Sequence, residues 1–579
     1  MDRFVSSCST PPLLTSLAVA SIGACSPLPA EPADLALRST TFEVNDTADL
    51  ALLATAPLCE CITAVDKVCT LRAAVQAANA CPGPDDIVFM VSGTYTLSLG
   101  AATDESPASG DLDITESVTI SAAVATPMSV SVSATVDGAH LDRIFDVQPE
   151  SAPVTLAGFK VMRGEIDPSA HPQGDAHGGC IRVRSSTLIL DSMIIGGDAD
   201  EGCAGHHGGG VYAEASSLTI SDSIVADNEA KAWIQGLTIA EGLGGGIHAH
   251  DTTLSMVRTQ LLENRASGGG GGIATISASS LSSLSDVLIH GNETFDAGGG
   301  GYMGAPFTMV DSVVSDNFIT EGAGQGGGLF LAPSESGTSS VILRTQVYEN
   351  TAPQGGGIAL DGQLDITDSD VHFNHAAGGT GSPQGGGIWG SVQGLLFIER
   401  SSIHGNTAGD GAGLFIRHML RATNTTIADN EADIAGGGLY GDLASWSELM
   451  HCTVRNNTAL AGAGGGTWLH ASATASFDRS VLFGNAQALG TAECVGPVTT
   501  PTVAVSDPLG CMTPSGSVVT GSLNGWGPLA YGPNSTAAFT ITLPNSALST
   551  AAPCGVSEDQ WGQPREEECD VGAYEDPSN

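Results

Sequence analysis

Residues 355–374 read GGGIALDGQLDITDSDVHFN. Apolar residues alternate with polar ones in three short runs: Ile358 and Leu360, then Leu364 and Ile366, then Val371 and Phe373. A period of two over so few residues predicts strands with one inward face, and the Gly, Asp, Ser and Asn between the runs predict turns. No run is long enough for a helix. The phrase recurs along the chain as an Asn, a variable gap, a glycine-rich run and an apolar strand. Examples are LENRASGGGGGIAT (262–275), SDNFITEGAGQGGGLFL (315–331), HGNTAGDGAGLFI (404–416) and RNNTALAGAGGGTWL (455–469). Its Asn stands at Asn228, Asn264, Asn292, Asn317, Asn350, Asn374, Asn406, Asn430, Asn457 and Asn485, in steps of 24 to 36 residues.

A period near thirty residues marks a solenoid. Three short strands per unit with no helix predict an all-β fold, a parallel β-helix in which each coil buries its apolar face on the next. The crossover rule makes it right-handed. The varying step length places loops of different size between the Asn and the glycines. The Asn is expected to take the left-handed turn after the third strand, and stacked Asn amides to bond along the rod. The glycines permit positive φ or close backbone approach. A phosphate-binding loop would need a helix after the glycines, and a strand-like run follows instead. Two earlier coils carry Gly164 and Gly197 where the Asn is expected. With the upstream strands, about twelve coils are legible in all, the first within 41–150 and the repeats over 151–490.

The N-terminus, MDRFVSSCSTPPLLTSLAVASIGACSPLP, has the basic start and apolar stretch of a secretory signal. IGAC (22–25) resembles a bacterial lipobox, which makes Cys25 the lipid-bearing first residue of the mature chain, residues 1–25 the signal and 26–40 a tether. No other run is long enough to span a bilayer as a helix. In an exported chain, clustered cysteines read as disulfides. Cys59, Cys61, Cys69 and Cys81 form one cluster of unassigned connectivity. Cys180 and Cys203, Cys494 and Cys511, and Cys554 and Cys569 form the others. A zinc site on the first four is the alternative. Cys452 shares strand parity with Val454 and is expected in the core as a free thiol.

Residues 41–163 contain CTLRAAVQAAN (69–79), GTYTL (93–97) and GDLDI (110–114). This segment resembles the CSLREA domain of bacterial surface proteins, with Ala73 where that family often has Glu. Residues 70–80 read independently as a short helix capped by Thr70, with Leu71, Ala74, Val75 and Ala78 on one face, placed to lid the first coil. The C-terminal DQWGQPREEECDVGAYE (559–575) resembles the closing motif of the choice-of-anchor Q domain, found on pectin-lyase-like β-helices, with Trp561 in place of the usual Arg. That implies a C-terminal cap over 491–579. The repeats also resemble those of polymorphic outer-membrane proteins.

Acidic residues outnumber basic ones 63 to 19, a formal net charge of −44, which repels phosphate backbones and excludes nucleic acid as a partner. No polygalacturonase-like motif set and no lyase-like Arg beside an acidic Ca²⁺ cluster stands out, so no catalytic residue is assigned. The loops of the two degenerate coils, 165–179 and 197–209, are expected to stack. They would gather His171, Asp175, His177, Asp198, Asp200, Glu201, His206 and His207, a set suited to Ca²⁺ or Zn²⁺. No cofactor is required by the sequence. The reading is a monomeric exported surface protein, attached to the membrane only through its lipid and otherwise secreted. It displays loops that bind an extracellular glycan or a surface protein. A polysaccharide lyase or glycoside hydrolase on the same fold is the alternative.

Overall fold

The computed structural model describes residues 39–575 apart from 66–67, 100–107, 123–132, 149–152, 168–175, 199, 236–237, 278–280, 321, 334–336, 489–493, 502, 507–511, 515–516, 521–525, 535, 542–548 and 566–567. The expected signal, the tether up to residue 38 and Cys25 therefore lie outside the described residues. No helix among those described is long and apolar enough to cross a membrane.

The coil around Asn374 shows the plan. Strand Ile358–Leu360 joins a first sheet, Gln363–Thr367 a second, Asp370–His372 a third and the two-residue His375–Ala376 a fourth. These sheets hold 14, 17, 16 and 11 strands, stacked coil on coil. The fold is a parallel β-helix. The strands exceed the roughly twelve coils read from the sequence because elements at both ends, such as Asp85–Phe89 and Met512–Pro514, carry no Asn–Gly signature. The fourth sheet escaped the sequence reading because two residues after an Asn have no period to detect. Register is in step: Ile358 pairs with Ile388, Leu364 with Leu396 and Val371 with Ile403. Their side chains belong to one apolar core running from Phe42 to Val498.

The ten Asn side chains form an unbroken ladder. Each Nδ2 donates to the Oδ1 of the next Asn, from Asn228–Asn264 (3.0 Å) through Asn350–Asn374 (2.9 Å) to Asn457–Asn485 (2.9 Å). A second bond from Asn350 Nδ2 reaches Val314 O at 3.0 Å. The left-handed residue is not the Asn, as expected from sequence, but its predecessor: Asp227, Glu263, Asp316, Glu349 and Phe373 all have φ near +50°. The Asn is held in regular backbone because its amide must aim along the stack. Phe373, read as an inward strand residue, is accordingly 55 % exposed at the bend. The glycines obey close approach: Gly355 has φ +63°, and a Cβ on Gly357 would stand 2.7 Å from Gly387 O of the next coil.

Helix Leu71–Ala80 starts at Thr70, whose hydroxyl accepts from Ala73 N–H, and lies against Thr41–Val44, Asp85–Phe89 and Leu112–Ile114 at the N-terminal end of the stack. Its Arg72 is fully buried on Asp49 (2.7 Å) and on the carbonyls of Gly110 and Asp111. Cys59 bonds to Cys81 and Cys61 to Cys69, so the four thiols are not free to hold zinc. Cys180 bonds to Cys203; Cys494 and Cys554 are also disulfide-bonded, while the side chains of Cys511 and Cys569 lie outside the described residues. Cys452 is a buried free thiol, its ionisation pushed up to about 12 by burial.

The C-terminal segment does more than close the last coil. Hairpin Trp526–Tyr531 and Ala537–Ile541 turns back along the outer face of the third sheet. Ala537 N–H donates to Ser402 Oγ, Arg455 lies 4.5 Å over the Phe539 ring, and Gln560 reaches Ser401 O and Thr426 Oγ1. The closing motif is the fastener. Arg565 bonds Glu575 (2.8 Å), Asn424 Oδ1 and the carbonyls of Asp570 and Gly572, and Ala573 N–H donates to Thr453 Oγ1.

Candidate ligand-binding face

In each first-sheet strand the residues either side of the second enter the core, so the second must point out. Ile388 and Leu414 sit in the core, while Trp389 and Phe415 do not. Register then stacks Tyr302, Phe330, Ala359, Trp389, Phe415, Tyr440 and Trp468 in one column. At about 4.8 Å per coil the column spans about 29 Å. Phe415 and Tyr440 stack with centroids 4.7 Å apart, Tyr440 and Trp468 at 4.3 Å, and Tyr302 and Phe330 tilt at 5.3 Å. The middle of the column is an apolar cluster separate from the core. Trp389 and Phe415 are buried there, whereas Tyr302, Phe330, Tyr440 and Trp468 remain half-buried.

A polar column runs beside the rings. Ala297, Gln325, Gln354, Gln384 and Asp410 pair in series just before the glycines. Gln325 Nε2 donates to Gln354 Oε1 at 2.8 Å, and Trp389 Nε1 donates to Gln384 Oε1 at 3.3 Å. Burial raises the Asp410 carboxyl above its ordinary range, though the Ser382 hydroxyl donates to it. Burial, together with Asp410 and Asp442, pushes the Tyr440 phenol up to about 12. On the other flank Arg417 holds Asp442 at 3.1 Å.

Towards the N-terminus the same column continues through Ala274, His248, Tyr212, Arg182 and Asp146. Arg182 grips Asp146 through Nε and Nη2 at 2.8 and 2.7 Å, and Arg143 holds Asp111 at 2.7 Å. Burial works to raise the Asp146 carboxyl, but the Arg182 bonds and the charges of Arg143 and Arg184 outweigh it and hold it low. Beside this stretch His177, His206 and His207 stack with Tyr212 and His248; His206 and His207 lie 4.0 Å apart, His177 and Tyr212 4.5 Å, His207 and His248 4.8 Å. Burial first, then the neighbouring imidazoles, push His177 and His207 down to about 2 and His248 to about 3. His207 Nδ1 accepts from Leu243 N–H, and His206 Nδ1 meets Lys231 O at 3.0 Å.

No family model and no curated protein matches this sequence. The stacked parallel sheets show the β-helix; the CSLREA and choice-of-anchor Q resemblances remain matters of motif.

The metal set expected from the two degenerate coils does not assemble as one group. His177, His206 and His207 come together, joined by Tyr212 and His248, which the sequence reading did not single out. Asp198 and Asp200 are exposed, and Glu201 is taken by Lys160. The reason is a shift in the repeat. The Asn position of this coil is filled by Cys203, not Gly197: Cys203 N–H donates to Asn228 Oδ1 as a ladder Asn would, and strand Ala204–Gly205 follows it. Residues 197–202 are therefore an insertion before that corner, and His206 and His207 come after it. Gly164 does hold the Asn position in the preceding coil, its carbonyl accepting from Ala204 N–H. His171 and Asp175 lie outside the described residues.

Among the described residues, ligand-bearing groups converge at two other places, Asp370–His372–His404 and Asp111–Asp113–Asp146. The second is met by Arg143 and Arg182 and needs no cation. The aromatic column itself had a signal in the sequence, the middle residue after each glycine run in LFL, IWG, LFI, LYG and TWL.

Proposed function

We propose that this protein is an exported β-helix that binds an extended glycan along the outer face of its first sheet, and that Cys25 carries the lipid that holds it at the cell surface. The observation that carries the reading is the column from Tyr302 to Trp468, with half-buried rings at both ends and an amide column alongside. Flat apolar rings stack on the apolar faces of sugar rings, and side-chain amides meet hydroxyl groups. Adhesion thus rests on the sheet face more than on the variable loops. The disulfides are compatible with an oxidising compartment. The CSLREA-like and anchor-Q-like ends support a bacterial surface setting.

The test is a glycan array with the mature chain, followed by Trp468→Ala and Tyr440→Ala against any glycan retained. Loss of binding in both, with thermal stability within about 1–2 kcal/mol of the parent, supports the reading. Binding unchanged in both variants overturns it. Shortening of the bound polymer during incubation would instead favour the lyase or hydrolase reading.

A further inference from the structure

The third sheet carries a different constellation. Asp370 and His372 are the first and third residues of one strand, so both project outward while Val371 between them enters the core. Register sets His404 of the next coil beside His372, and Ser402 beside Asp370. Asp370 Oδ1 lies 3.2 Å from His404 Nε2, and Asp370 Oδ2 lies 3.4 Å from His372 Nδ1. The imidazoles stack 5.1 Å apart, 8° from parallel. The Ser402 hydroxyl donates to Asp370 Oδ1 at 2.6 Å and fixes the carboxylate. The returning hairpin places the Tyr531 hydroxyl 3.3 Å from His404 Nε2. Asp370, His372 and His404 are 1 %, 9 % and 3 % exposed, and His372 Nδ1 has no hydrogen-bond partner.

We propose that Asp370, His372 and His404 bind a divalent transition-metal ion of the zinc class, with the Tyr531 oxygen at the fourth position. Zinc bonds of about 2.0–2.1 Å in a tetrahedron separate neighbouring ligand atoms by about 3.3 Å, close to the 3.2 and 3.4 Å from Asp370 to the two imidazoles and the 3.3 Å from Tyr531 to His404. Two imidazoles and one carboxylate are borderline donors that favour such an ion over Ca²⁺ or Mg²⁺. The Ser402 bond supplies the outer-shell orientation that ligating carboxylates require. A cleft of about 290 Å³ bordered by Asp311, Arg344, Asp368, Pro533 and Asn534 reaches Asp370 and gives an ion a way in. The ion would join two coils to the returning hairpin, so its work is to clamp the C-terminal segment onto the third sheet.

The experiment is titration of metal-stripped mature protein with Co²⁺, in excess Mg²⁺ to saturate the acidic surface. The expected result is one Co²⁺ per chain with the intense visible absorption of a tetrahedral site, displaced by Zn²⁺. Asp370→Asn and His404→Gln should weaken it by more than about 100-fold, beyond the 10–100-fold typical of losing an outer-shell partner, with circular dichroism unchanged. Tyr531→Phe should keep the stoichiometry and alter the spectrum. Absence of a tetrahedral spectrum in the parent protein overturns the proposal, whatever the variants do. So does equal Co²⁺ binding by folded Asp370→Asn and His404→Gln, which would put the ion on the acidic surface or at the His177–His248 cluster.

Discussion

The first and third sheets come from the same repeat, yet their outer faces are put to opposite uses. On the third sheet the outward residues include Ser402, Thr426, Thr453 and Arg455, and the chain's own C-terminal segment hooks onto each of them. On the first sheet the outward residues of the corresponding coils are Trp389, Phe415 and Tyr440, the last of them half-buried. The inward residues of both sheets are interchangeable aliphatics in one core. A stacked fold fixes only what faces inward and what turns the corner, so function is written in the residue that alternation leaves pointing out.

The sharpest way to break this contrast is at Arg565. Its guanidinium is buried on Glu575, Asn424 Oδ1 and several carbonyls, and removal strands a carboxylate away from water. Losing one partner of a buried ion pair costs about 3–5 kcal/mol. Arg565→Ala is expected to free the C-terminal segment from the third sheet while leaving the coils stacked. Limited proteolysis should then cut within 526–575, with circular dichroism and first-sheet binding unchanged. Loss of the whole fold would show that the clasp holds the solenoid and not only its own segment.

Acid should act most strongly on the first-sheet side, where depressed imidazoles cluster, while on the other side burial holds His451, beneath Cys554 O, down to about 3 and lowers His372. His177, His207 and His248 are held neutral at about 2, 2 and 3, against about 6.5 in an unfolded chain. Their folded values are depressed, so the stability they carry is full above pH 6.5 and is lost as pH falls toward those values. Well below 6.5 each group costs up to about 1.4 kcal/mol per pH unit. Hydrogen exchange at Ile181–Arg184, Val211–Glu214 and Ile247–His250 is therefore expected to quicken from pH 6.5 to 4.5, with the coils from 358 to 469 lagging except around His372 and His451. Uniform acceleration along the rod would sink the idea that these imidazoles set the acid limit.

Trp468→Ala addresses the open face with a smaller effect. Trp468 stacks on Tyr440 and is half-buried, so truncation removes one aromatic pair, about 0.5–1.5 kcal/mol, and part of an apolar surface. Thermal unfolding should shift slightly, whereas glycan retention should fall sharply. A large loss of stability would make the column a structural staple.

Much of this was legible because a solenoid repeats its rules. The Asn spacing foretold the ladder, and period two foretold the core positions Ile358, Leu364 and Val371. What escaped had no local period or depended on register between coils. Phe373 fits the alternation but sits on the left-handed bend before Asn374. Cys203 fills an Asn position that counting assigned to Gly197, and that slip of a few residues moved Asp198 and Asp200 to the wrong corner. His372 and His404 each stand two residues before a ladder Asn, so aligning repeats on the Asn would have stacked them. The fold-back of 526–575 onto the third sheet is long-range and leaves no periodic trace.

Gln384 tests the finest point of the contrast, whether the amide column serves the rings or only itself. Its Oε1 accepts from Trp389 Nε1 at 3.3 Å, and its backbone pairs with Gln354 on one side and Asp410 on the other. Gln384→Ala keeps the backbone pairing and removes the acceptor, a net loss of about 0.5–1.5 kcal/mol for one hydrogen bond. Trp389 is 4 % exposed, so its orphaned indole N–H must find water or turn. A red-edge shift of tryptophan fluorescence, with little change in melting temperature and weaker glycan retention, would mean the amides orient the rings for a ligand. Unchanged fluorescence and retention would confine the Gln column to lining its own coils, leaving the aromatic rings alone to account for recognition.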